Sequence, residues 1–261
     1  MPMYVDGSYN GVFPNEGMFF KDQSLQEQGF DIINNMFEFY ASLDKDGRAS
    51  VTGMTLMNEP CHSMPEDKDA MISWMGIAVA MFRSNIVDQY PNDHPKLYMN
   101  LISTCISDED SLSFMLNTFS TEELNTWAVL DIHVYYAWAG AMSGCMWLNG
   151  DCGWECSVDT DIDAYTSVSD MITTAAESSH SYFINNGSVP LIACSEFSLA
   201  TYHDSNNACR GLDILELLYN AQADGFDAQG MLNMSMFWTW KMPYGGSHEN
   251  AWSLQNYLSH K

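Results

Sequence analysis

The sequence predicts an α/β fold in which parallel strands alternate with helices, as in a (β/α)8 barrel. Three observations lead to this prediction. Short apolar segments of strand character alternate with longer segments whose apolar residues recur at helical spacing. No tight hairpin signal joins one strand to the next, which favours parallel pairing. Two of the strands deliver a glutamate at their carboxyl ends, where barrel enzymes keep their reactive groups.

Two amphipathic helices are predicted in the first third of the chain. Asp22 has the position of an N-cap, and the helix that follows runs to about Leu43. The residues 44–47 (Asp-Lys-Asp-Gly) are expected to break it, and a second helix is predicted over about 66–89. The residues expected to share a face are Phe30, Ile33, Phe37 and Tyr40 in the first helix, and Trp74, Ile77, Ala78, Met81 and Asn85 in the second.

Five strands are predicted, with helices or a loop between them. The predicted strands are 51–57, 96–102, 128–135, 189–197 and 231–240, and the later helices are 111–119, 162–184 and 211–223. One barrel unit takes roughly 30 residues, and a full barrel has eight such units. We therefore expect residues 1–261 to form a single, incomplete barrel domain, equivalent to about strands four to eight, with roughly the first three strands missing.

Composition excludes several classes of function. The net charge of −25, from 34 acidic and 9 basic residues, argues against a partner that is a nucleic acid, because little here could neutralise phosphates. The sequence shows no run of about 18 apolar residues, so no membrane span is expected. Neither a basic nor an apolar region follows Met1, so no signal peptide is recognised.

The aromatic loop over residues 136–159 is expected to help shape a binding site, because ordered loops of this length are usually functional. It carries Cys145, Cys152 and Cys156, three of the seven cysteines. Their spacing suggests disulfides if the chain is secreted. Zinc is the alternative, although no histidine or fourth cysteine lies at finger-like spacing.

The two strand-end glutamates are Glu59 and Glu196. Glu59 follows an apolar run that ends at Pro60, since proline cannot donate a hydrogen bond to a strand ladder. Glu196 follows a second apolar run over residues 189–195. Two carboxylates on separate strand ends are the minimum that the cleavage of a glycosidic bond requires.

Four motifs in the same order, each at a predicted strand end, resemble glycoside hydrolase family 5, nearest its exo-β-1,3-glucanase branch. These motifs are Leu56–Pro60, Asp131–Tyr135, Ser195–Ser198 and Phe237–Lys241, and Ala251–Gln255 resembles the end of the family's domain. The resemblance covers nearly the whole chain, but only the C-terminal two-thirds of the family's domain.

The resemblance implies a role for each matching residue. Glu59 would be the general acid/base and Glu196 the nucleophile of a retaining hydrolase, in which the two carboxyl groups lie ~5–5.5 Å apart. Asn58 would bind the sugar 2-hydroxyl. His133 and Tyr135 would lie beside the nucleophile. For Asn58 and His133, a purely structural role is the alternative.

The aromatic residues complete the implied sugar site. Trp238 would form the platform under the sugar at the cleavage point, and Trp240 would pack in the interior. Phe13 and Asn15 fall near the family's aromatic clamp and sugar-binding asparagine. The family's histidine at the end of strand three would fall near Met3, and its substrate-orienting arginine has no counterpart here.

The resemblance therefore implies a retaining hydrolase of β-glucan, foremost a glucan exo-1,3-β-glucosidase. An endo-β-1,4-glucanase or a mannanase of the same family is the alternative enzyme, and a non-catalytic carbohydrate-binding remnant is the alternative outside enzymes. No cofactor and no metal are implied, because carboxylates carry both steps. The expected partner is a β-glucan polysaccharide or oligosaccharide bound by an extracellular monomer.

Overall fold

The computed structural model describes residues 19–60, 68–101, 107–134, 185, 189–199, 212–231, 234–241 and 249–259. The helices there are α1 (Gln23–Ser42), α2 (Lys45–Ala49), α3 (Lys68–Phe82, continued by a π-helical turn at Arg83–Val87), α4 (Asp108–Thr118), α5 (Thr121–Thr126), α6 (Leu212–Ala228), α7 (Glu249–Trp252) and α8 (Leu254–Ser259). The strands are β1 (Gly53–Thr55), β2 (Lys96–Asn100), β3 (Ala128–Val134), β4 (Ile192–Phe197) and β5 (Ser235–Phe237).

The strands form one sheet in the order β1-β2-β3-β4-β5. The pairs β1/β2, β2/β3 and β4/β5 are parallel. In the part of the chain that the structure describes, the fold is thus α/β with a five-stranded parallel sheet, as the alternation of strand and helix patterns predicted. All five strands were predicted, but β1 and β5 have three residues each, fewer than expected. Apolar residues flanking a strand extend its pattern in the sequence without joining its ladder.

The chain divides into two compact units. The first contains Met1–Asp131 together with Val189–Leu191, and the second contains Ile132–Ser188 together with Ile192–Lys261. In the first unit, the backbone N–H of Leu130 donates to the carbonyl of Leu191 at 2.9 Å, which explains why the short second segment belongs there. Each unit has its own hydrophobic core.

The core of the first unit forms around Trp74 of α3, which is 2% exposed. The ring of Phe30 in α1 stacks on Trp74 with centroids 5.1 Å apart, and the ring of Phe19 meets its edge at 5.3 Å. Gly29 allows this approach. A Cβ atom there would lie 2.8 Å from the Phe19 ring and 3.0 Å from the Trp74 ring, so any other residue would force these rings to shift.

The predicted stripe on α3 is only partly correct. Trp74 and Ala78 are buried, but Ile77 is 50% exposed and Asn85 is exposed. Because α3 is apolar almost all round, its sequence pattern does not indicate which side faces the core. The face that the structure buries consists of Met71, Trp74, Met75, Ala78, Val79 and Phe82.

One helical segment passes the length and composition criteria for a membrane span, contrary to the expectation from the sequence. This segment is Lys68–Val87. Its Trp74 and Phe82 rings pack against aromatic rings of α1, and its Arg83 pairs with Glu123. These contacts are those of a core helix, and we interpret the segment in this way.

Side-chain caps fix where the helices begin. The Asp22 carboxylate accepts hydrogen bonds from the backbone N–H groups of Ser24 and Leu25, as predicted for the start of α1. The stretch at Asp44 does end α1, but it also begins a helix that was not predicted. The Asp44 carboxylate accepts from the N–H of Gly47 and caps α2.

The core of the second unit lies where α6, α7 and α8 pack together. Its fully buried members are Leu199, Leu215, Leu218, Ala221, Ala251 and Tyr257. The ring of Phe197, at the end of β4, meets the ring of Phe226 on α6 at 5.2 Å and the ring of Phe237 on β5 at 5.4 Å. These contacts anchor the carboxyl ends of β4 and β5.

An ion pair joins α3 to the start of α5 in the first unit. The Arg83 guanidinium donates to both carboxylate oxygens of Glu123, at 2.6 and 3.2 Å. Glu123 also accepts from the backbone N–H of Ser120 in a capping box. Partial burial would raise the pKa of Glu123, but the hydrogen bonds from Arg83 and Ser120 outweigh it and hold that pKa below its ordinary value.

We expect Glu123→Gln to lower the free energy of unfolding by about 1–3 kcal/mol at pH 7, because the amide keeps the cap but loses the charge that Arg83 binds. A lowered folded-state pKa contributes stability above the unfolded-state pKa, and this contribution is lost as the pH falls through the folded-state value. The difference between variant and parent should therefore shrink at acid pH. Urea unfolding at pH 7 and at about pH 3 measures it.

Glu122→Gln is the matched control, since Glu122 is the exposed neighbour in the same turn of α5. This substitution also removes one negative charge, but it leaves the ion pair between Arg83 and Glu123 in place. An equal loss of stability in both variants would contradict the assigned role of the ion pair.

Candidate active site

Asn58 and Glu59 follow β1 in the first unit. Leu56 and Met57 are buried and fix the chain just before them, whereas Asn58 and Glu59 are half-buried. The backbone of Glu59 has a φ of 42°, in the left-handed region that residues with a Cβ atom rarely adopt. Such a conformation costs on the order of 1 kcal/mol. Backbone outliers of this kind cluster at functional sites, so the observation supports a functional role for Glu59.

Glu196 and His133 meet in the second unit. His133 Nδ1 lies 3.5 Å from Glu196 Oε2, and His133 Nε2 lies 3.3 Å from Ser195 Oγ. The His133 side chain is 5% exposed and that of Glu196 is 17% exposed. The structure therefore brings the predicted nucleophile and its predicted histidine neighbour together at the carboxyl ends of β3 and β4.

An irregularity in β4 explains how one histidine reaches two successive residues. Side chains of neighbouring residues on a regular strand point to opposite faces. The register of β4 against β5 shifts between Cys194 and Phe197, which breaks this alternation at Ser195 and Glu196. Both side chains thus come within reach of His133.

The two contacts of His133 define its chemistry. An ionised carboxylate only accepts hydrogen bonds, so the nitrogen that faces Glu196 must carry a proton to interact favourably. The nitrogen facing Ser195 can accept from the hydroxyl when the ring is neutral or donate to it when the ring is charged. With its proton on Nδ1, His133 presents a donor to the Glu196 carboxylate in both of these states.

Trp238 lies at the carboxyl end of β5, beside β4. Its backbone N–H donates to the carbonyl of Phe197 at 2.8 Å, which places Trp238 next to the residue that follows Glu196. The Trp238 ring meets the edge of the Trp252 ring at 5.5 Å, yet it is 41% exposed. A tryptophan that is held on one side and open on the other can serve as a sugar platform.

The expectation that Trp240 packs in the interior is wrong. Trp240 is 57% exposed. The sequence motif contains two tryptophans two residues apart, and only the local backbone decides how each ring points. Three other predicted site residues, Tyr135, Phe13 and Asn15, lie outside the described residues, as do Met3 and the cysteine loop over residues 136–159.

Two polar residues at strand ends, Ser195 and Asn100, were not among the predicted site residues. Ser195 was seen only as part of a motif, although its hydroxyl contacts His133. In the first unit, the Asn100 side-chain amide donates to the carbonyl of Asp131 at 3.3 Å, and both residues are buried. Burial and then the charge of Asp131 raise the pKa of the Tyr98 hydroxyl. A polar residue at a strand's carboxyl end is the signal that points to Asn100.

No family model and no curated protein matches this chain. Among solved structures, the chain is similar to the crystal structure of AoRut, with a TM-score of 0.59 and 14% sequence identity. The match covers 100% of this chain and 63% of the AoRut chain, so this chain spans less than two thirds of that protein's length. At this identity, the similarity concerns the fold alone.

Proposed function

We propose that this protein is a retaining glycoside hydrolase that cleaves β-glucan, foremost as a glucan exo-1,3-β-glucosidase. The observation that carries the proposal is the pairing of Glu196 with His133 at the end of β4. The exposed residue Trp238 directly follows the adjacent strand, β5. A largely buried carboxylate beside a histidine, with an open aromatic ring at the end of the adjacent strand, suits attack on a sugar bound over that ring.

In the proposed reaction, the Glu196 carboxylate attacks the anomeric carbon and forms a glycosyl ester, while Glu59 donates its proton to the departing oxygen. Water then attacks the anomeric carbon, gives its proton to the Glu59 carboxylate and releases Glu196. Two inversions leave the product with the configuration of the substrate. No metal or other cofactor enters either step, which remains a prediction.

A non-catalytic carbohydrate-binding protein is the second candidate. The observation that favours it is the exposure of two tryptophans, Trp238 and Trp240, since exposed aromatic rings can bind sugars without any carboxylate chemistry. An endo-β-1,4-glucanase or a mannanase would use the same carboxylates and differ only in substrate. A panel of laminarin, cellulose oligosaccharides and mannan separates the enzyme alternatives.

The test is hydrolysis of laminarin by the purified chain, followed by proton NMR of the first sugar released. We expect glucose to appear as the β-anomer before mutarotation, because double displacement retains configuration. Initial release of the α-anomer would contradict the retaining mechanism. Binding of laminarin without hydrolysis would favour the carbohydrate-binding protein.

A further inference from the structure

Trp240 is the most exposed aromatic residue described in the second unit, at 57%. Two residues before it, Trp238 is 41% exposed, and Thr239 between them is half-buried. Burying a large aromatic side chain is among the most favourable contributions to folding. Two tryptophans left open within three residues therefore need an explanation.

The backbone under these rings is held firmly by the chain that enters α8. The Trp240 carbonyl accepts from the backbone N–H of Gln255 at 2.8 Å. The backbone N–H of Thr239 donates to the carbonyl of Trp252, and the carbonyl of Thr239 accepts from the N–H of Leu254, both at 3.0 Å. A ring on a backbone fixed in this way is presented to a ligand at a low entropic cost.

The size of the exposed surface indicates what kind of ligand it fits. A tryptophan offers up to roughly 250 Å², so the two rings together expose roughly 250 Å². Met236, two residues before Trp238, is 47% exposed and adds further apolar surface. A stable protein–protein interface needs roughly 800 Å² from each partner. Counting the described residues alone, the exposed rings fall short of that area, and they match the apolar faces of one or two sugar rings.

The net charge of the chain further limits the classes of ligand that this surface can bind. With a net charge of −25, the protein repels polyanions such as acidic polysaccharides and nucleic acids. A neutral sugar pays no such cost. Its C–H face can lie on an indole while its hydroxyl groups stay in water.

We infer that Trp240 is a second sugar platform. The ligand is then a neutral glucan chain that extends beyond the sugar bound on Trp238. The inference rests on the proposed function for the class of ligand, but not for any catalytic step. In this role, Trp240 distinguishes long glucan chains from short ones. Longer oligosaccharides should therefore gain affinity from this residue, whereas single sugars should not.

The test uses the full chain with Glu196→Gln, so that oligosaccharides bind without turnover. Calorimetric titration measures the affinity for laminarihexaose and for glucose. The Glu196→Gln protein is compared with the same protein carrying, in addition, Trp240→Ala or Trp240→Phe. We expect Trp240→Ala to weaken laminarihexaose binding roughly 3- to 10-fold, with glucose binding unchanged. Trp240→Phe should recover part of the loss, because it restores an aromatic face.

Phe39→Ala is the matched control, since Phe39 is 64% exposed on α1 in the other unit. It should leave both titrations unchanged. Equal laminarihexaose affinity with and without Trp240 would overturn the inference and leave the proposed function standing. A second outcome combines two results: Trp240→Ala weakens laminarihexaose binding, and the unsubstituted protein does not hydrolyse laminarin. That outcome would support the inference and overturn the proposed function. Loss of self-association on Trp240→Ala, seen by sedimentation, would instead make this surface a contact between copies and overturn the inference.

Discussion

Replacing Glu196 by glutamine is expected to lower the kcat for laminarin hydrolysis roughly 10⁴-fold or more, as the loss of a covalent nucleophile does in other enzymes. Glutamine keeps the size of the side chain but cannot form the glycosyl ester. The Glu196 side chain is only 17% exposed, and its Oε2 lies 3.5 Å from His133 Nδ1, so the exchange replaces a carboxylate in a confined place by a group of the same size. Release of glucose, measured over time at saturating laminarin, gives kcat directly.

Glu216→Gln on α6 is the control for this substitution, because it removes an exposed carboxylate from the same unit. It should leave kcat within about twofold, as expected for surface changes away from a site. Thermal unfolding of all three proteins shows whether each variant is folded. A folded Glu196→Gln protein with the activity of the parent would refute the assignment of Glu196 as the nucleophile.

Replacing Trp74 by alanine is expected to lower the free energy of unfolding by about 3–5 kcal/mol. The ring is 2% exposed, stacks on Phe30 and meets Phe19 edge-on, so its loss leaves a cavity between α1 and α3. Native domains are stable by only about 5–15 kcal/mol, so this loss is a large part of the total. Urea denaturation followed by far-ultraviolet circular dichroism measures the change.

The comparison for Trp74→Ala is Phe39→Ala, which also removes an aromatic ring from this pair of helices. Phe39 is 64% exposed, so we expect a change of at most about 0.5 kcal/mol. If Trp74→Ala unfolded at the same urea concentration as the parent, the packing between α1 and α3 would not contribute to stability as described.

The sequence patterns predicted the five strands, the longer helices α1, α3, α4 and α6, and their order, but not the short helices α2, α5, α7 and α8. The Asp22 cap and the spacing of Ile33, Phe37 and Tyr40 predicted α1 because an amphipathic helix repeats its buried residues every three to four positions. The alternation of strands and helices predicted parallel pairing. Both glutamates were predicted to lie at strand ends, because proline at position 60 and the apolar runs before both glutamates are local signals. Glu196 does lie near the end of β4, whereas Glu59 lies beyond β1, which ends at Thr55.

The tertiary structure decided which side chains meet and which faces are buried. The apolar surface of α3 surrounds the helix, so only its packing on α1 shows that Ile77 faces outwards. Likewise, the contact of His133 with both Ser195 and Glu196 depends on the irregular register of β4. Periodic patterns report the average geometry of an element, whereas a bulge or a choice between two apolar faces is set by neighbours distant in the sequence. For that reason, the exposed ring of Trp240 could be found only in the structure.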